Sequence, residues 1–239
     1  MLVAIHQSHY LPWLRYFEKI ARADAFIVLD NIQYNKNGWQ NRNRIKTAQG
    51  PAILTVPVYA AYQERLDRVR IKNAAPWRRK HLRALRQAYG KTPHFADCGE
   101  VLSDTFGRTW EYLNDLNRHM LGHWLRLLGI DTPLHYASDL DVPGVATERL
   151  VNLVRAVGGD AYYSGAFALE AYLDPAVLTE AGIRLVLQHW SPPVYAQGRG
   201  AFLPDLSVVD LFAHCGPEAR SMILAAGEAV PYVSADETN

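Results

Sequence analysis

Two patterns of apolar residues alternate along this chain: short continuous runs, and longer stretches with helical spacing. The runs at residues 3–5 and 25–29 are short and partly β-branched, which predicts two buried strands. Between them, over residues 13–23, apolar positions recur three and four residues apart, which predicts a helix. The charged residues of this segment fall on the opposite face of that helix: Arg15, Glu18, Lys19 and Arg22. The order strand, loop, helix, strand is typical of a βαβ unit.

The same patterns continue through the rest of the chain, apart from a polar tract at 31–44 that has no clear period. Further strands are predicted over residues 53–58, 69–71, 134–136 and 183–187. Helices are predicted over residues 75–89, 109–128, 147–157 and 169–180, and a last helix begins near Leu206. Gly129 and Gly182 are expected to end two of these helices. The C-terminus is expected to be frayed from about residue 227.

Together these elements predict an α/β fold with a Rossmann-like, mostly parallel sheet, flanking helices and a helical section over roughly residues 75–130. The chain has 239 residues, of which 49% are hydrophobic, enough for one large domain with a substantial core. There is no internal repeat and no clear linker, so we predict a single domain over residues 1–239.

The composition argues against some classes of function and indicates the cellular compartment. A formal charge of +1, from 25 basic and 24 acidic residues, argues against a protein built mainly to bind nucleic acid or an anionic membrane. Cys98 and Cys215 are far apart and form no CxxC pair, which fits a reducing cytoplasm. The N-terminal segment lacks a signal-peptide pattern, and no apolar run approaches the roughly 20 residues that span a bilayer. We therefore expect a cytoplasmic protein that acts on a small molecule, in an oligomeric state left open.

Candidate catalytic residues follow the first two predicted strands. The loop after the first strand contains the catalytic candidates His6, Gln7 and His9 and the substrate-binding candidate Tyr10, and it lies where ligands bind in open α/β sheets. Either histidine can act as an acid or a base near neutral pH, or hydrogen-bond a substrate. Two histidines three residues apart, without an evident third ligand, are a weak metal signal, so we assign no metal there. Asp30 ends the second strand and is expected to point into the mouth of the cleft, with a turn-capping role as the alternative.

Candidate substrate-binding residues lie in the polar tract that follows. Its amide and cationic side chains include Gln33, Lys36, Asn41, Arg42, Asn43 and Arg44. Arg42 and Arg44 can bind a phosphate or carboxylate bidentately, and Trp39 can stack on a base or a sugar face. Nucleic acid is the rival ligand for such a tract, and the near-zero net charge argues against it.

Two predicted helices carry further candidates. Lys80 and His81 either face an anion in the cleft or belong to a solvated helix face. Four residues share one face of the helix predicted over 109–128: Glu111, Asp115, His119 and His123. Their spacing of four fits a carboxylate–histidine metal site, and helical ion pairing explains it as well.

Motifs spread over nearly the whole chain resemble those of the WbqC-like family. They include HQSHYLPWLRYF, VLDNIQYNKNGWQNRNR, PWRRKHL, YYSGAFALEAYLD and PPVYAQGRGAFLPDLSVVD. This chain has Asn31 where a second aspartate is common in the family, and Arg15 where glycine is common. The family pattern adds four residues to the expected substrate-binding set: Trp13, Ser164, Tyr195 and Gln197.

The resemblance implies a bacterial protein of O-antigen, polysaccharide or natural-product biosynthesis. The expected activity is transfer of an acyl or aminoacyl group from an activated donor to an amine or hydroxyl of a small molecule. In this hypothesis Asp30 or His6 deprotonates the acceptor, while Arg42, Arg44 and Lys80 bind the phosphate of the donor. The resemblance implies no resident cofactor. A phosphopantetheine or coenzyme A thioester would be the donor, and an acyl carrier protein is the expected macromolecular partner.

Two alternatives stay open at this point. A weaker, fold-level likeness to nucleotidylyltransferases indicates a nucleotide-dependent enzyme, either of that kind or an ATP-dependent ligase. The other alternative is a non-catalytic module that binds a small molecule or a carrier protein.

Overall fold

The computed structural model describes residues 1–198 and 200–233 of the chain. Its strands are β1 (Leu2–Gln7), β2 (Ala25–Leu29), β3 (Arg42–Thr47), β4 (Gly50–Thr55), β5 (Val58–Tyr59), β6 (Arg70–Ile71), β7 (Leu134–Tyr136), β8 (Ala161–Gly165), β9 (Arg184–Trp190) and β10 (Gly227–Pro231). Its helices are α1 (Leu14–Arg22), α2 (Trp77–Tyr89), α3 (Gly99–Gly107), α4 (Leu113–Leu128), α5 (Ala137–Leu140), α6 (Ala146–Ala156), α7 (Phe167–Ala171), α8 (Pro175–Glu180), α9 (Val208–Cys215) and α10 (Ala219–Ala225). Short 3₁₀ turns occur at Leu66–Arg68, Ala96–Cys98 and Gly216–Glu218.

Six of these strands form one sheet in the order β10-β9-β8-β1-β2-β7. Neighbours are parallel except for β10, which pairs with β9 antiparallel. From β1 the chain builds outwards through β2 to β7, and it then crosses back to add β8 and β9 on the other side of β1. The predicted Rossmann-like, mostly parallel sheet is therefore confirmed, and the order of the sheet reverses between β1 and β8.

Alternate residues of the central strands feed two apolar cores, one on each face of the sheet. Ala4 and Phe26 point towards α1 and pack with its Phe17 and Ile20. The intervening residues of the same strands pack on the other face against α6 and α8. This alternation follows from the two-residue repeat of a strand. The helices of the predicted section 75–130 are α2, α3 and α4, and their buried side chains join the core on the α1 side.

The charged face of α1 differs from the sequence expectation. Glu18 is fully buried and Lys19 is 7% exposed, although their spacing places them opposite the apolar residues. The Glu18 carboxylate accepts hydrogen bonds from Tyr163 Oη of β8 and from Gln188 Nε2 of β9, and it also pairs with Arg22. Strands β8 and β9 thus cover α1 at Glu18 and Lys19, whereas Arg15 and Arg22 remain partly exposed.

Some predicted boundaries were wrong for local reasons. The segment predicted as one helix over 169–180 forms α7 and α8, because Asp174 caps a new helix that starts at Pro175. The end of the polar tract forms β3, which pairs antiparallel with β4. The C-terminus is not frayed at 227, since Gly227–Pro231 pairs with β9. Residues 234–239, the rest of the segment expected to be frayed, lie outside the described part of the chain. Among the described helices, none combines the length and the apolar character needed to cross a membrane.

Gly159, in the turn between α6 and β8, is expected to tolerate no side chain. A Cβ atom at this position would overlap Val3 Cγ2 and lie 2.9 Å from Val154 Cγ1. Gly159→Ala should therefore lower the free energy of unfolding by about 1–3 kcal/mol, measured by urea denaturation. Gly122→Ala in α4 is the matched control, because its Cβ would meet no atom within 4 Å. That control should be neutral or stabilising by up to about 1 kcal/mol, and equal effects of the two substitutions would contradict the packing argument.

Candidate functional site

A cleft of about 1220 Å³ opens at the carboxyl ends of the parallel strands, and we call it the main cleft. Four strands contribute to it where they end, through Gln7 of β1, Leu29 of β2, Gly165 of β8 and Gln188 of β9. Residues of α1 and α6, which cover opposite faces of the sheet, also line it. The main cleft therefore lies at the point where the strand order reverses, which is where doubly wound sheets bind ligands.

His6 and Gln7, which the sequence placed in the first loop, belong to the end of β1, and His9 lies in the loop after it. Both histidines line the main cleft. Their ring centroids are 4.7 Å apart, and both rings pack on Tyr16. Burial lowers the pKa of His6 well below its ordinary value, and the neighbouring His9 adds to this shift. Burial also lowers the pKa of His9 to about 3, with a contribution from the charge of Lys19. Both imidazoles are therefore neutral at pH 7, which suits hydrogen bonding better than accepting a proton.

Lys19 is the basic group that the structure adds to this site. Its side chain lines the main cleft, and its Nζ lies 3.4 Å from the position that a Cβ atom on Gly165 would occupy. Burial lowers the pKa of Lys19 to about 8, the Glu18 carboxylate partly offsets this shift, and the charge of Arg15 adds to it. An amine with this pKa is partly unprotonated at neutral pH, so it can take a proton from a substrate.

The main cleft carries an excess of positive charge. Among the described residues, Arg15, Lys19 and Arg149 line it together with one carboxylate, that of Asp205. Arg15 Nη2 lies 3.1 Å from Asp205 Oδ1, and Arg149 Nη2 donates to Asn31 Oδ1 at 2.6 Å. With one carboxylate against three cationic groups, this electrostatic environment favours an anionic ligand.

Aromatic side chains form an apolar part of the main cleft. Phe167 and Tyr172 are 74% and 57% exposed, and Trp190 lies near them in the lining. Large aromatic groups that remain open to solvent at a cleft are typical of ligand-binding surfaces.

The residues of the polar tract divide between two clefts. Trp39 lines the main cleft beside Trp13, with 5.1 Å between the ring centroids. Four predicted substrate-binding residues line a separate second cleft of about 1290 Å³: Gln33, Lys36, Asn41 and Arg42. Arg42 lies over the face of Trp39 at 5.9 Å, so these two side chains stand between the clefts. The structure therefore does not bring the whole tract to one ligand.

Asp30 does not point into the mouth of the main cleft, contrary to the sequence expectation. It is fully buried, and its Oδ2 accepts hydrogen bonds from Ser138 Oγ at 2.7 Å and Asn114 Nδ2 at 3.0 Å. Its Oδ1 accepts from the backbone N–H of Ser138 at 2.9 Å. These contacts join β2 to α4 and α5 and leave Asp30 without access to a substrate, so the capping alternative is the better description.

Tyr10, His81 and Asn43 also form buried contacts between elements. Tyr10 Oη lies 2.8 Å from His81 Nδ1, and His81 Nε2 lies 3.1 Å from the carbonyl of Thr55. Asn43 Nδ2 donates to the carbonyl of Leu11 at 2.6 Å. Burial lowers the pKa of His81 to about 4, so this ring is neutral at pH 7. These contacts hold the first loop against the β3–β4 hairpin and α2.

Lys80 is exposed on α2 and lines neither the main cleft nor the second cleft. Lys80 therefore belongs to a solvated helix face, which was the alternative to binding an anion in the cleft. Arg44 also lines neither cleft, and its guanidinium lies over the Trp39 indole at 5.7 Å from the ring centroid. It also donates to the carbonyl of Asp205 at 3.2 Å. Arg44 therefore contacts two residues that line the main cleft, Trp39 and Asp205.

Of the four candidates added by family resemblance, Trp13 lines the main cleft, whereas Ser164, Tyr195 and Gln197 lie outside its lining. Ser164 is buried at the end of β8, and Gln197 bonds the backbone of Leu203. Tyr195 donates to Asp210 Oδ1 at 2.8 Å, within a buried polar cluster. These contacts order the loop before α9.

Sequence reasoning missed several residues of the main cleft. Lys19 and Arg149 belong to helices whose charged positions resemble an ordinary solvated face. Gln188 and Trp190 lie at the end of β9, beyond the predicted strand. Knowledge that β9 pairs parallel with β8 would have revealed these residues. The pairing brings the last residues of β9 to the carboxyl ends of the other strands, where the main cleft lies.

Comparisons with known proteins give one family and one close relative. A family model described as the WbqC-like protein family matches residues 7–222. An uncharacterised protein of Mycobacterium tuberculosis (strain ATCC 25618 / H37Rv) is 37% identical over 221 residues, which cover 91% of this chain and 95% of the relative. No solved structure matches the chain significantly. The family match includes the residues from Gln7 onwards that form the main cleft.

Asp30 is expected to stabilise the folded protein through its buried hydrogen bonds. Asp30→Asn should lower the free energy of unfolding by roughly 1–3 kcal/mol, because an amide cannot accept all three of its buried hydrogen bonds. Urea denaturation followed by circular dichroism measures this change. Asp139→Asn is the matched control, since that carboxylate pairs with Arg118 but is 63% exposed and should contribute less than about 1 kcal/mol. An Asp30→Asn protein as stable as the control would contradict the structural role.

Proposed function

This chain belongs to the WbqC-like protein family, and we propose that it is a transferase that moves an acyl or aminoacyl group from an activated donor to an amine or hydroxyl of a small molecule. The observation that carries the proposal is the Lys19 amine in the main cleft, whose pKa burial lowers to about 8. A base with such a pKa matches the task of deprotonating an amine acceptor near neutral pH.

In the proposed reaction Lys19 transfers a proton in both directions. Its unprotonated amine takes a proton from the acceptor nitrogen as that nitrogen attacks the thioester carbonyl carbon. The carbon–sulfur bond then breaks, and the departing thiolate takes the proton from the Lys19 ammonium. No net proton is gained or lost by the enzyme, and the products are an amide and a thiol.

Gln7 is the proposed donor to the developing oxyanion. Gln40 Nε2 donates to Gln7 Oε1 at 3.1 Å, which fixes the orientation of the Gln7 amide. Gln7 Nε2 then remains available to donate to a carbonyl oxygen in the main cleft. His6 and His9, which are neutral, would add hydrogen bonds to the substrate in place of the acid–base role expected from the sequence.

The remaining lining fits the two ends of a thioester donor. Arg15 and Arg149 supply the charge that a phosphate of coenzyme A or phosphopantetheine requires. Phe167, Tyr172 and Trp190 supply an apolar surface for the arm or for the acyl group. We propose an acyl carrier protein as the macromolecular donor, and a pathway that makes a polysaccharide or a natural product as the setting.

A nucleotide-dependent enzyme is the second candidate, and the strand order favours it. The parallel strands follow the order of doubly wound sheets that bind nucleotides, and the main cleft lies at their switch point. This support concerns the fold, whereas the Lys19 amine concerns the chemistry, so we rank acyl transfer first.

Replacement of Lys19 is expected to abolish turnover. Lys19→Met should lower kcat/KM by at least about 100-fold, because general-base catalysis contributes that much or more. Lys19→Arg should be equally impaired, since it retains the charge but cannot lose a proton near pH 8. Thiol release from acyl-coenzyme A and acyl-phosphopantetheine, with amino sugars as acceptors, measures the rate. Lys91→Met, at an exposed position outside the main cleft, is the control.

The pH profile gives an independent test of the same role. The reaction needs the unprotonated amine, so kcat/KM should rise with pH and level off above about pH 8. A flat profile through pH 7–9, or a wild-type rate in Lys19→Met, would contradict the proposal. Binding of thioesters without turnover of any donor would favour the non-catalytic module.

Calorimetry with ATP and CTP in the presence of Mg²⁺ tests the second candidate. A nucleotide-dependent enzyme should bind one of them saturably, and Arg149→Gln should weaken that binding because it removes a cationic group from the main cleft. The absence of binding by either nucleotide would remove this candidate.

A further inference from the structure

Three metal-ligating side chains converge away from the main cleft, where α3 packs on α4. Asp104 comes from α3, and His119 and His123 lie one turn apart on the same face of α4. Asp104 Oδ2 is 2.8 Å from His119 Nε2 and 3.2 Å from His123 Nε2. None of the three residues lines the main cleft. Asp104, which joins the two histidines, is the residue that helical spacing on α4 could not predict.

We propose that Asp104, His119 and His123 bind a divalent transition-metal ion of the Zn²⁺ type. A tetrahedral zinc ion with bonds of about 2.0–2.1 Å holds its ligand atoms about 3.3 Å apart. The two measured separations are close to that value, and one ligand atom from each residue lies within 4.8 Å of the others. Two imidazoles and one carboxylate form a donor set that such ions prefer.

The environment of the three side chains leaves room for an ion and a fourth ligand. They line an open cavity of about 780 Å³, and their side chains are 16–28% exposed. His119 Nε2 is buried and makes no hydrogen bond, although it lies beside the Asp104 carboxylate. A buried nitrogen without a hydrogen-bond partner is unfavourable, and coordination to an ion would satisfy it.

Arg108, Arg118 and Arg126 also line this cavity, and their positive charges would repel a metal ion unless other groups pair with them. Arg108 Nη2 pairs with Asp104 Oδ1 at 2.7 Å, which leaves Oδ2 facing the histidines. Arg118 pairs with Asp139 at 2.8 Å and lies over the ring of Tyr136. Arg118 is thus paired with a carboxylate outside the proposed ligands, whereas Arg108 would share the Asp104 carboxylate with the ion.

Arg126 is the group that competes with an ion. Its Nη2 lies 2.7 Å from His123 Nδ1, so this nitrogen accepts a hydrogen bond and the neutral ring carries its proton on Nε2. Coordination through Nε2 requires the other tautomer, with the proton on Nδ1. Binding of an ion therefore displaces the exposed Arg126 side chain from His123.

Calorimetric titration of the full chain with Zn²⁺ tests the proposal, with Co²⁺ as the spectroscopic probe. One ion per chain is expected, with visible cobalt absorption typical of a four- or five-coordinate site and a higher Tm in the presence of Zn²⁺. Asp104→Asn, His119→Ala and His123→Ala should each weaken binding by at least about 100-fold. Circular dichroism confirms the fold of each variant, and Asp104→Asn is the mildest of them because it keeps the shape of the side chain.

Two further variants separate a built site from general binding by histidines. His94→Ala should leave the affinity unchanged, because His94 pairs with Asp97 at 3.0 Å but belongs to no group of three ligands among the described residues. Arg126→Gln should bind Zn²⁺ more tightly than the wild type, since it removes the competing hydrogen bond. Equal affinity of the wild type and the three ligand variants, or loss of binding in His94→Ala alone, would overturn the proposal. So would the absence of saturable binding by the wild type.

Discussion

The buried carboxylate of Glu18 is the interaction on which the geometry around the main cleft depends. It joins α1 to Tyr163 of β8 and Gln188 of β9, and its partner Arg22 continues to the backbone carbonyl of Gly227 in β10. Glu18 is fully buried and Arg22 is 29% exposed, so loss of its partners would leave the carboxylate uncompensated in the interior, and this network fixes the helix on the sheet. Lys19 follows Glu18 directly, so the same contacts determine where its amine enters the cleft.

The sequence predicted the mostly parallel sheet and placed candidate residues at the carboxyl end of its first strand, because both depend on local patterns. Apolar runs and helical spacing defined the first βαβ unit, and the rule that ligands bind at the carboxyl ends of strands placed His6, Gln7 and His9 in the main cleft. The role of Lys19 could not be predicted in this way. Its burial depends on β8 and β9, which join the sheet more than 140 residues later in the chain.

The polarity of the first 46 residues has two different physical origins. In the main cleft, polar groups remain open to a ligand, whereas Asp30 and Asn43 are buried and satisfied by distant parts of the chain. A sequence shows both kinds of residue in the same way, since their partners are not neighbours. Ser138, for example, follows Asp30 by 108 residues. A dense group of amide and charged residues therefore marks either a site or the framework that supports it.

The two edges of the central sheet have a consequence for the behaviour of the protein in concentrated solution. An open edge strand can pair with the same strand of another molecule and start aggregation. Here β7 at one edge has three residues, and β10 at the other carries the charged Glu228 and ends in Pro231, which has no backbone N–H to donate. Both edges are thus poor templates for intermolecular strand pairing, so aggregation through the edges of this sheet is disfavoured.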